Sequence, residues 1–322
     1  RQGKRIRIVG DYDIDGVCST YLLYKGLKRL GAAVDYEIPD RIKDGYGINI
    51  QIVEAAAEDN IDTILTCDNG ISAIDQMKRA RELGMTVIVT DHHDIVKVGE
   101  EDVLPEADAI VNPKQSADTY PWKEICGGMV AYKLIQILYE KAGIDREEWL
   151  AMIEFAAIAT VGDVMKLQDE NRILVKYGLK KMAQTKNLGL RRLAEKNNLD
   201  LGAITAYHIG FVIGPCLNAG GRLKTAKEAL ALLRAQSEEE AERLAEELKE
   251  LNDTRKDMTE QGTEAAKLQV ESWYQKDKVL VVFLPECHES LAGIIAGRLR
   301  EYYQKPAIVL TRGEEAVKGS GR

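Results

Sequence analysis

Short apolar runs alternate with amphipathic stretches of about a dozen residues through the first part of the chain, and few folds accept that pattern. Ile6-Arg7-Ile8-Val9 running to Gly10, Ala33 to Ile38, Thr63-Ile64-Leu65-Thr66 and Thr86 to Thr90 read as strands. Val17 to Leu30, Asn49 to Asp59 and Ser72 to Leu83 read as the helices between them. Gly31 and Gly84 supply stops, and Ser72 supplies an N-cap. Strand–helix–strand units of this size predict right-handed crossovers and a parallel sheet, hence an α/β fold.

The residues just after the strands carry the chemistry. Gly10-Asp11-Tyr12-Asp13-Ile14-Asp15-Gly16 follows the first, Cys67-Asp68-Asn69-Gly70 the third and Asp91-His92-His93 the fourth. Ligands of open α/β sheets bind beyond the carboxyl ends of strands, so these groups are predicted to share one rim. Three carboxylates within five residues repel one another unless cations hold them, and hard divalent ions take oxygen ligands. Read alone, the first loop admits other answers. A calcium loop begins the same way but needs a bidentate Glu at its twelfth position, which here is Leu22. A haloacid-dehalogenase-type phosphatase resembles Asp13-Ile14-Asp15-Gly16-Val17 but needs a later Gly-Asp-x-x-x-Asp, and Gly162-Asp163 leads to Leu167. A plain turn rich in Asp and Gly is the third answer. A histidine pair at a strand end, facing four other strand-end carboxylates, favours a metal over all three.

Composition narrows the class further. At 322 residues the chain has room for two or three domains and a sizeable core. Net charge is −8, from 44 Lys and Arg against 52 Asp and Glu, so no basic excess advertises a polyanion. A local metal cluster and a basic groove can still sit on an acidic protein. Five scattered cysteines without a C-x-x-C pair exclude a zinc ribbon and suit a reducing cytosol. No apolar stretch of 18 residues and no signal peptide point to a membrane. A start almost on a strand and a Gly-Ser-Gly-Arg end read as a piece of something longer.

Beyond Ile110-Val111-Asn112-Pro113 the sequence turns helical, over Met129 to Ala142, Arg146 to Thr160, Leu174 to Thr185 and Leu188 to Asn197. Asp163, after Gly162 at a helix end, is either a further metal ligand or a turn residue. In Gly214-Pro215-Cys216-Leu217-Asn218-Ala219-Gly220-Gly221-Arg222-Leu223, the glycines free the backbone to approach a ligand and Arg222 suits phosphate; the plainer reading is a turn between helices. Residues 237–274 read as one connector helix of 38 residues, about 57 Å long. Lys278 to Leu284 and Ala307 to Leu310 read as strands around a helix from His288 to Leu299, in which Gly293 and Gly297 permit close packing. Lys318 to Arg322 reads as a small-residue loop able to wrap a phosphate. The predicted organisation is a parallel-sheet domain over 1–236 (sheet in 1–115, mostly helical over 116–236), the connector, and a second, smaller α/β domain over 275–322.

Asp13, Asp15, Asp68, Asp91-His92-His93 and Asp163 together resemble the DHH phosphoesterases. Gly-Asp-Tyr-Asp-x-Asp-Gly at 10–16, the run 214–223 and a long connector carrying Asn252 and Arg255 are similar to the RecJ branch. The last third, with His288, Gly293, Ala296, Arg298 and the Gly-Ser-Gly-Arg end, is similar to the DHH-associated domain, here truncated. Glu289-Ser290 and Asn69 depart from the commoner residues at those positions. The resemblance implies a bacterial 5′→3′ exonuclease that cuts single-stranded DNA to 5′-mononucleotides in repair and recombination. It implies two divalent ions, manganese preferred or magnesium, about 3.5–4 Å apart and sharing Asp68. One would take Asp11 and Asp13, the other Asp15, His92 and Asp163. His93 would act with Asp68 and His92 in catalysis by holding the scissile phosphate or supporting the metal shell, and Asp91 would orient an imidazole. Asn218, Arg222, His288, Arg298, Ser320, Gly321 and Arg322 would hold substrate phosphates, across a cleft between the two domains. It leaves room for a single-strand-binding protein and a RecQ-like helicase as partners of a cytoplasmic, nucleoid-associated monomer. Two rival functions share the superfamily: a nanoRNase, cyclic-dinucleotide phosphodiesterase or pyrophosphatase, and a non-catalytic replication scaffold.

Overall fold

The structure, a computed structural model, describes residues 3–313 and 316–322. The first part contains β1 (Arg5–Val9), α1 (Ile14–Arg29), β2 (Ala33–Glu37), α2 (Ile50–Glu58), β3 (Thr63–Cys67), α3 (Ile74–Glu82) and β4 (Thr86–Thr90). β5 (Lys97–Val98) and β6 (Glu101–Asp102) pair as a small antiparallel ribbon, and β7 (Ala109–Val111) completes the main sheet. Its order is β2-β1-β3-β4-β7, and every pairing is parallel. Register places Ile8 beside Tyr36 and Leu65, and Leu65 beside Ile88. Side chains alternate across the sheet, so Val9, Ile64, Val87 and Val89 pack on Ile52, Val53 and Ala56 of α2 and Met77 and Ala80 of α3. The opposite face is covered by α1 and by α4 (Gly127–Ala142). From β1 the chain goes first to β2 on one side and later to β3 on the other, so the order reverses between β1 and β3. Such a switch point opens a crevice at the carboxyl ends of those strands.

Two local boundaries differ from the sequence pattern. Helix α1 starts at Ile14, not Val17, because Asp13 caps it: the Asp13 carboxylate accepts from the amides of Asp15 (2.9 Å) and Gly16 (3.0 Å). Asp15 therefore lies in the first turn, where negative charge suits the helix dipole. Ser72 does not cap α3. Residues 70–73 form a turn closed by the Ala73 amide on the Gly70 carbonyl (3.1 Å), and the helix starts after Ala73 without a side-chain cap.

The helical half continues with α5 (Arg146–Leu150), α6 (Ile153–Gly162), α7 (Asp169–Met182), α8 (Leu188–Lys196), α9 (Ala206–His208), a π-turn over Ile209–Ile213, α10 (Gly214–Leu223) and α11 (Lys227–Arg234). The expected single helix over 146–160 breaks at Ala151-Met152 into α5 and α6. The glycine-rich run 214–223 is a helix, contrary to its reading as a turn, with Pro215 in its first turn where no amide hydrogen is needed. Its glycines serve packing: a Cβ on Gly221 would lie 2.3 Å from the Tyr12 carbonyl oxygen, and one on Gly220 would lie 2.7 Å from that of Thr225.

Helix α12 (Glu238–Gln269) continues into a π-turn over Val270–Tyr274. The chain divides into two compact units, Arg1–Lys249 and Glu250–Arg322. In the second, β8 (Leu280–Phe283) pairs parallel with β9 (Ala307–Arg312), which pairs antiparallel with β10 (Val317–Gly321). A 3-10 turn (Glu289–Leu291) leads into α13 (Ala292–Tyr303). Leu291, Ile295 and Leu299 close its core against Leu280, Val282 and Val309. The segment 318–322, expected as a loop, is edge strand β10: its residues pair in register with β9, and Arg322 and Ala307 exchange both backbone hydrogen bonds. Gly293 does accept a close neighbour, since a Cβ there would meet the side chains of Ser320 and Arg322, whereas a Cβ on Gly297 would point into open space among the described residues. Among the described residues no helix is long and apolar enough to cross a membrane.

Candidate metal centre

Every strand-end acid named from the sequence reaches the crevice at the switch point. Asp11, Asp15, Asp68, Asp91 and His92 are each at most 5% exposed. Side-chain ligand atoms of Asp11, Asp13 and Asp68 lie within 4.8 Å of one another, as do those of Asp15, His92 and Asp163, and those of Asp68, His92 and His93. The Nε2 atom of His92 is 3.0 Å from Asp68 Oδ1, 3.5 Å from Asp15 Oδ2 and 3.7 Å from Asp163 Oδ2. Asp163 is the C-cap of α6, and the end of that helix brings its carboxylate close to that of Asp15 and to His92.

The backbone is bent to make this convergence. Asp68 sits in the left-handed region at φ 61°, a conformation that costs a non-glycine residue about 1 kcal/mol and that Asp tolerates better than most. Asn69, buried behind it, donates to the carbonyls of Val9 (3.0 Å) and Cys67 (2.9 Å), tying the tips of β1 and β3 together. The carboxylate of Asp15 accepts from the amides of Gly127 (2.7 Å) and Gly128 (2.6 Å) at the start of α4. A Cβ on Gly127 would sit 2.7 Å from Asp68 Cβ, and one on Gly128 would sit 2.4 Å from Ala159 Cβ. Only glycines let this helix end reach the acids.

Electrostatics show a donor set built for cations. Burial, reinforced by Asp13, pushes the Asp11 carboxyl up to about 7. Burial and Asp15 push Asp163 up to about 7, and the same causes raise Asp13 and Asp68. Burial lowers His92, keeping its imidazole neutral and able to ligate. Oδ1 of Asp11, Oδ1 of Asp68 and both ring nitrogens of His92 are buried without a hydrogen-bond partner. Orphaned buried acceptors are rare in folded proteins. Carboxylate oxygens with one imidazole per cluster are the chemistry of a hard or borderline divalent ion, so the residues fit such a group.

His93 differs from His92. Its Nδ1 lies 2.7 Å from Asp91 Oδ1, and the Tyr46 hydroxyl lies 3.0 Å from its Nε2. Burial opposes charge on this ring, but the Asp91 hydrogen bond and the charges of Asp91, Asp15 and Asp163 together outweigh it and raise its pKa. Asp91 also accepts from the amides of Ile71, His92 and His93. It orients the second imidazole and anchors the loop.

The comparisons with known proteins agree with this geometry. Residues 5–162 match the DHH family, N-terminal domain. The single-stranded-DNA-specific exonuclease RecJ of Bacillus subtilis is 40% identical over the whole chain, which spans 40% of that protein, and that of Escherichia coli is 36% identical, with 58% of its length spanned. A crystal structure of exonuclease RecJ bound to manganese superposes with a TM-score of 0.87 at 35% identity, covering all of this chain and 78% of that one. The chain belongs to the RecJ family. The α/β class expected from the sequence is that of RecJ, and the chain spans about half the length of the curated RecJ relatives it matches.

Beside the acids, this RecJ-family chain has a cavity of about 310 Å³ lined by Tyr12, Arg41, Tyr46, Asn218 and Arg222 together with Asp11 and Asp13. Arg222 and Asn218, two of the expected phosphate holders, line the space beside Asp11 and Asp13. Arg41, Tyr12 and Tyr46 were missed. The Arg41 guanidinium lies 4.9 Å from the Tyr12 ring centroid. The loop carrying Arg41 and Tyr46 follows β2, so the strand-end rule could have found it. Within the second unit, His288 Nδ1 lies 2.8 Å from Ser290 Oγ, and Arg322 donates to Ser320 Oγ (3.0 Å) on β10, which ends at Gly321. Arg298 lines a groove with Glu260, Glu264 and Glu301, an acidic setting that sequence reading did not anticipate.

Proposed function

We propose that this chain is the nuclease core of a metal-dependent exonuclease that hydrolyses single-stranded DNA in the 5′→3′ direction to 5′-mononucleotides. The carrying observation is the convergence of Asp11, Asp13, Asp68, Asp15, His92 and Asp163 into two donor clusters that meet at the Asp68–His92 contact. Asp11, Asp13 and Asp68 would hold one divalent ion, and Asp15, His92 and Asp163, again with Asp68, a second. Bound manganese or magnesium supplies charge neutralisation at the phosphate and a water acidified enough to attack near neutral pH.

The chain's own groups do the rest. Asp68 is held in place by its backbone turn. His93 is oriented by Asp91 and raised toward its charged form, so it offers a proton-bearing nitrogen to a phosphate oxygen. Arg41 and Arg222 supply planar cations beside Asp11 and Asp13, and Asn218, whose Oδ1 lacks a partner, completes the polar wall. The small-residue strand β10 and Arg298 belong to the second unit, which corresponds in this reading to a DHH-associated domain that holds more of the strand. Five unpaired cysteines suit a cytoplasmic enzyme working at the nucleoid. A single-strand-binding protein and a RecQ-like helicase are fitting partners for a monomer that consumes unwound strands. A complete donor set argues against the scaffold alternative, and whole-chain likeness to RecJ argues against a dinucleotide or pyrophosphate substrate.

The test is one preparation assayed with manganese against 5′-labelled and 3′-labelled single strands, blunt duplex, dinucleotide and pyrophosphate. Release of mononucleotides from the 5′ end of single strands alone is expected. Equal cutting of duplex, or turnover that survives chelation, would sink the proposal.

A further inference from the structure

A second concavity in the first unit, about 1240 Å³, is unrelated to the metal site. It is walled by the second half of α1, the start of α6, the end of α7, the start of α8 and the end of α11. Asp15 and Asp163 lie at the opposite ends of α1 and α6. Glu154 to Asp163 alone is nine residues, about 14 Å along the helix. Lys25, Lys28, Lys181, Lys186 and Arg234 line the cavity. Lys196, by contrast, is neutralised by Glu242 and Glu246.

Glu154 forms part of the wall. It is 4% exposed; Oε1 accepts from Thr185 Oγ1 at 2.8 Å, and Oε2 has no partner. Burial, offset in part by the Thr185 hydrogen bond and by Lys25 and Lys181, pushes its carboxyl up to about 7. In its neutral form this group carries a hydroxyl donor toward a cavity already rich in ammonium donors. The lining also carries the exposed carboxylate of Glu147 and the amides of Gln184 and Gln236, but cations outnumber carboxylates there, which suits an anion with many oxygens. The cavity is also preorganised. Arg234 lies 4.3 Å from the Tyr24 ring centroid and 5.0 Å from that of Tyr36, and it donates to the Tyr24 hydroxyl at 3.1 Å. Asn187 and Leu188 bring the positive end of α8 to the wall.

We propose that this cavity binds a nucleoside polyphosphate, with the phosphate chain among Lys25, Lys28, Lys181 and Lys186 and beside Glu154. The number of cations matches a triphosphate better than a single phosphate, and the volume leaves room for the nucleoside. The site is independent of the nuclease reading, because it needs no metal.

The test is calorimetric titration of ATP into the intact chain at low ionic strength with excess EDTA. Saturable binding at one site is expected, unchanged in Asp68→Ala and kept in Glu154→Gln, whose amide is neutral and still donates. Lys25→Glu and Lys181→Glu should each weaken binding about tenfold or more, and Lys186→Glu, on an exposed position, serves if either fails a circular-dichroism check of folding. Inorganic phosphate should bind far more weakly, and adenosine not at all. Absence of saturable binding, equal affinity in the lysine variants, loss in Asp68→Ala, or phosphate competing as well as ATP would overturn the proposal.

Discussion

Asp68 is held by three devices: a left-handed backbone, the Asn69 ties to the tips of β1 and β3, and the close approach of Gly127. Asp68→Ala should leave the fold intact and abolish manganese-dependent hydrolysis, a loss of several orders of magnitude in kcat. Unchanged turnover would remove the proposed mechanism. Gly127→Ala tests the packing and not the chemistry. Its new methyl meets Asp68 Cβ at 2.7 Å, so the carboxylate must move. Manganese affinity, read by calorimetry, should fall about tenfold or more, while circular dichroism stays native. An affinity equal to the parent's would mean that the helix end yields instead.

Among the elements, β1, β3 and β4 were legible because period-2 apolar runs bounded by turn residues have one reading in a two-faced sheet. Their tips then gave Asp11, Asp68 and the Asp91-His92-His93 triplet with no further assumption. What escaped had a physical cause each time. The run 214–223 looked like a turn because glycine frequency signals freedom, yet its glycines make room for Tyr12 and Thr225 inside a helix. Gly127-Gly128 carried no signal of its own, since its partner Asp15 lies 112 and 113 positions away. Gly319 to Arg322 looked like a phosphate wrap because sequence cannot say that β9 takes up the backbone of that segment.

Helix α6 carries a separate prediction through Glu154. The usual carboxyl value of 4.5 is raised to about 7 in the folded chain. Below 4.5 both folded and unfolded chains keep the proton. Between 4.5 and 7 only the folded chain does, so stability falls as pH rises through that window, by on the order of 3 kcal/mol. Asp11 and Asp163, also raised to about 7, add to the slope in denaturant melts from pH 4.5 to 7, and Glu154→Gln should make that slope shallower by Glu154's share. A slope identical in the variant would assign the effect to other groups.

For the whole molecule, net charge and metal act together. A metal-free centre gathers acids whose pKa values are raised by burial and by one another, so saturating ions that bind only the folded state should stabilise it. At a hundredfold excess over Kd the gain is about 2.7 kcal/mol per site, or a rise of roughly 5–10 °C in Tm for a domain of this size. Scanning calorimetry with manganese should show it in the parent and lose most of it in Asp68→Ala. No shift in the parent would contradict a divalent centre.

The grip of Gly127 and Gly128 on the Asp15 carboxylate also has a bearing on biosynthesis. A ribosome delivers β1, β3 and β4 and the acids at their tips before residue 127 leaves the exit tunnel. Until that helix end arrives, the Asp15 carboxylate has no Gly127 and Gly128 amides to fix it beside His92. The donor set that the proposed function needs is therefore complete only after that helix end and Asp163 have been made.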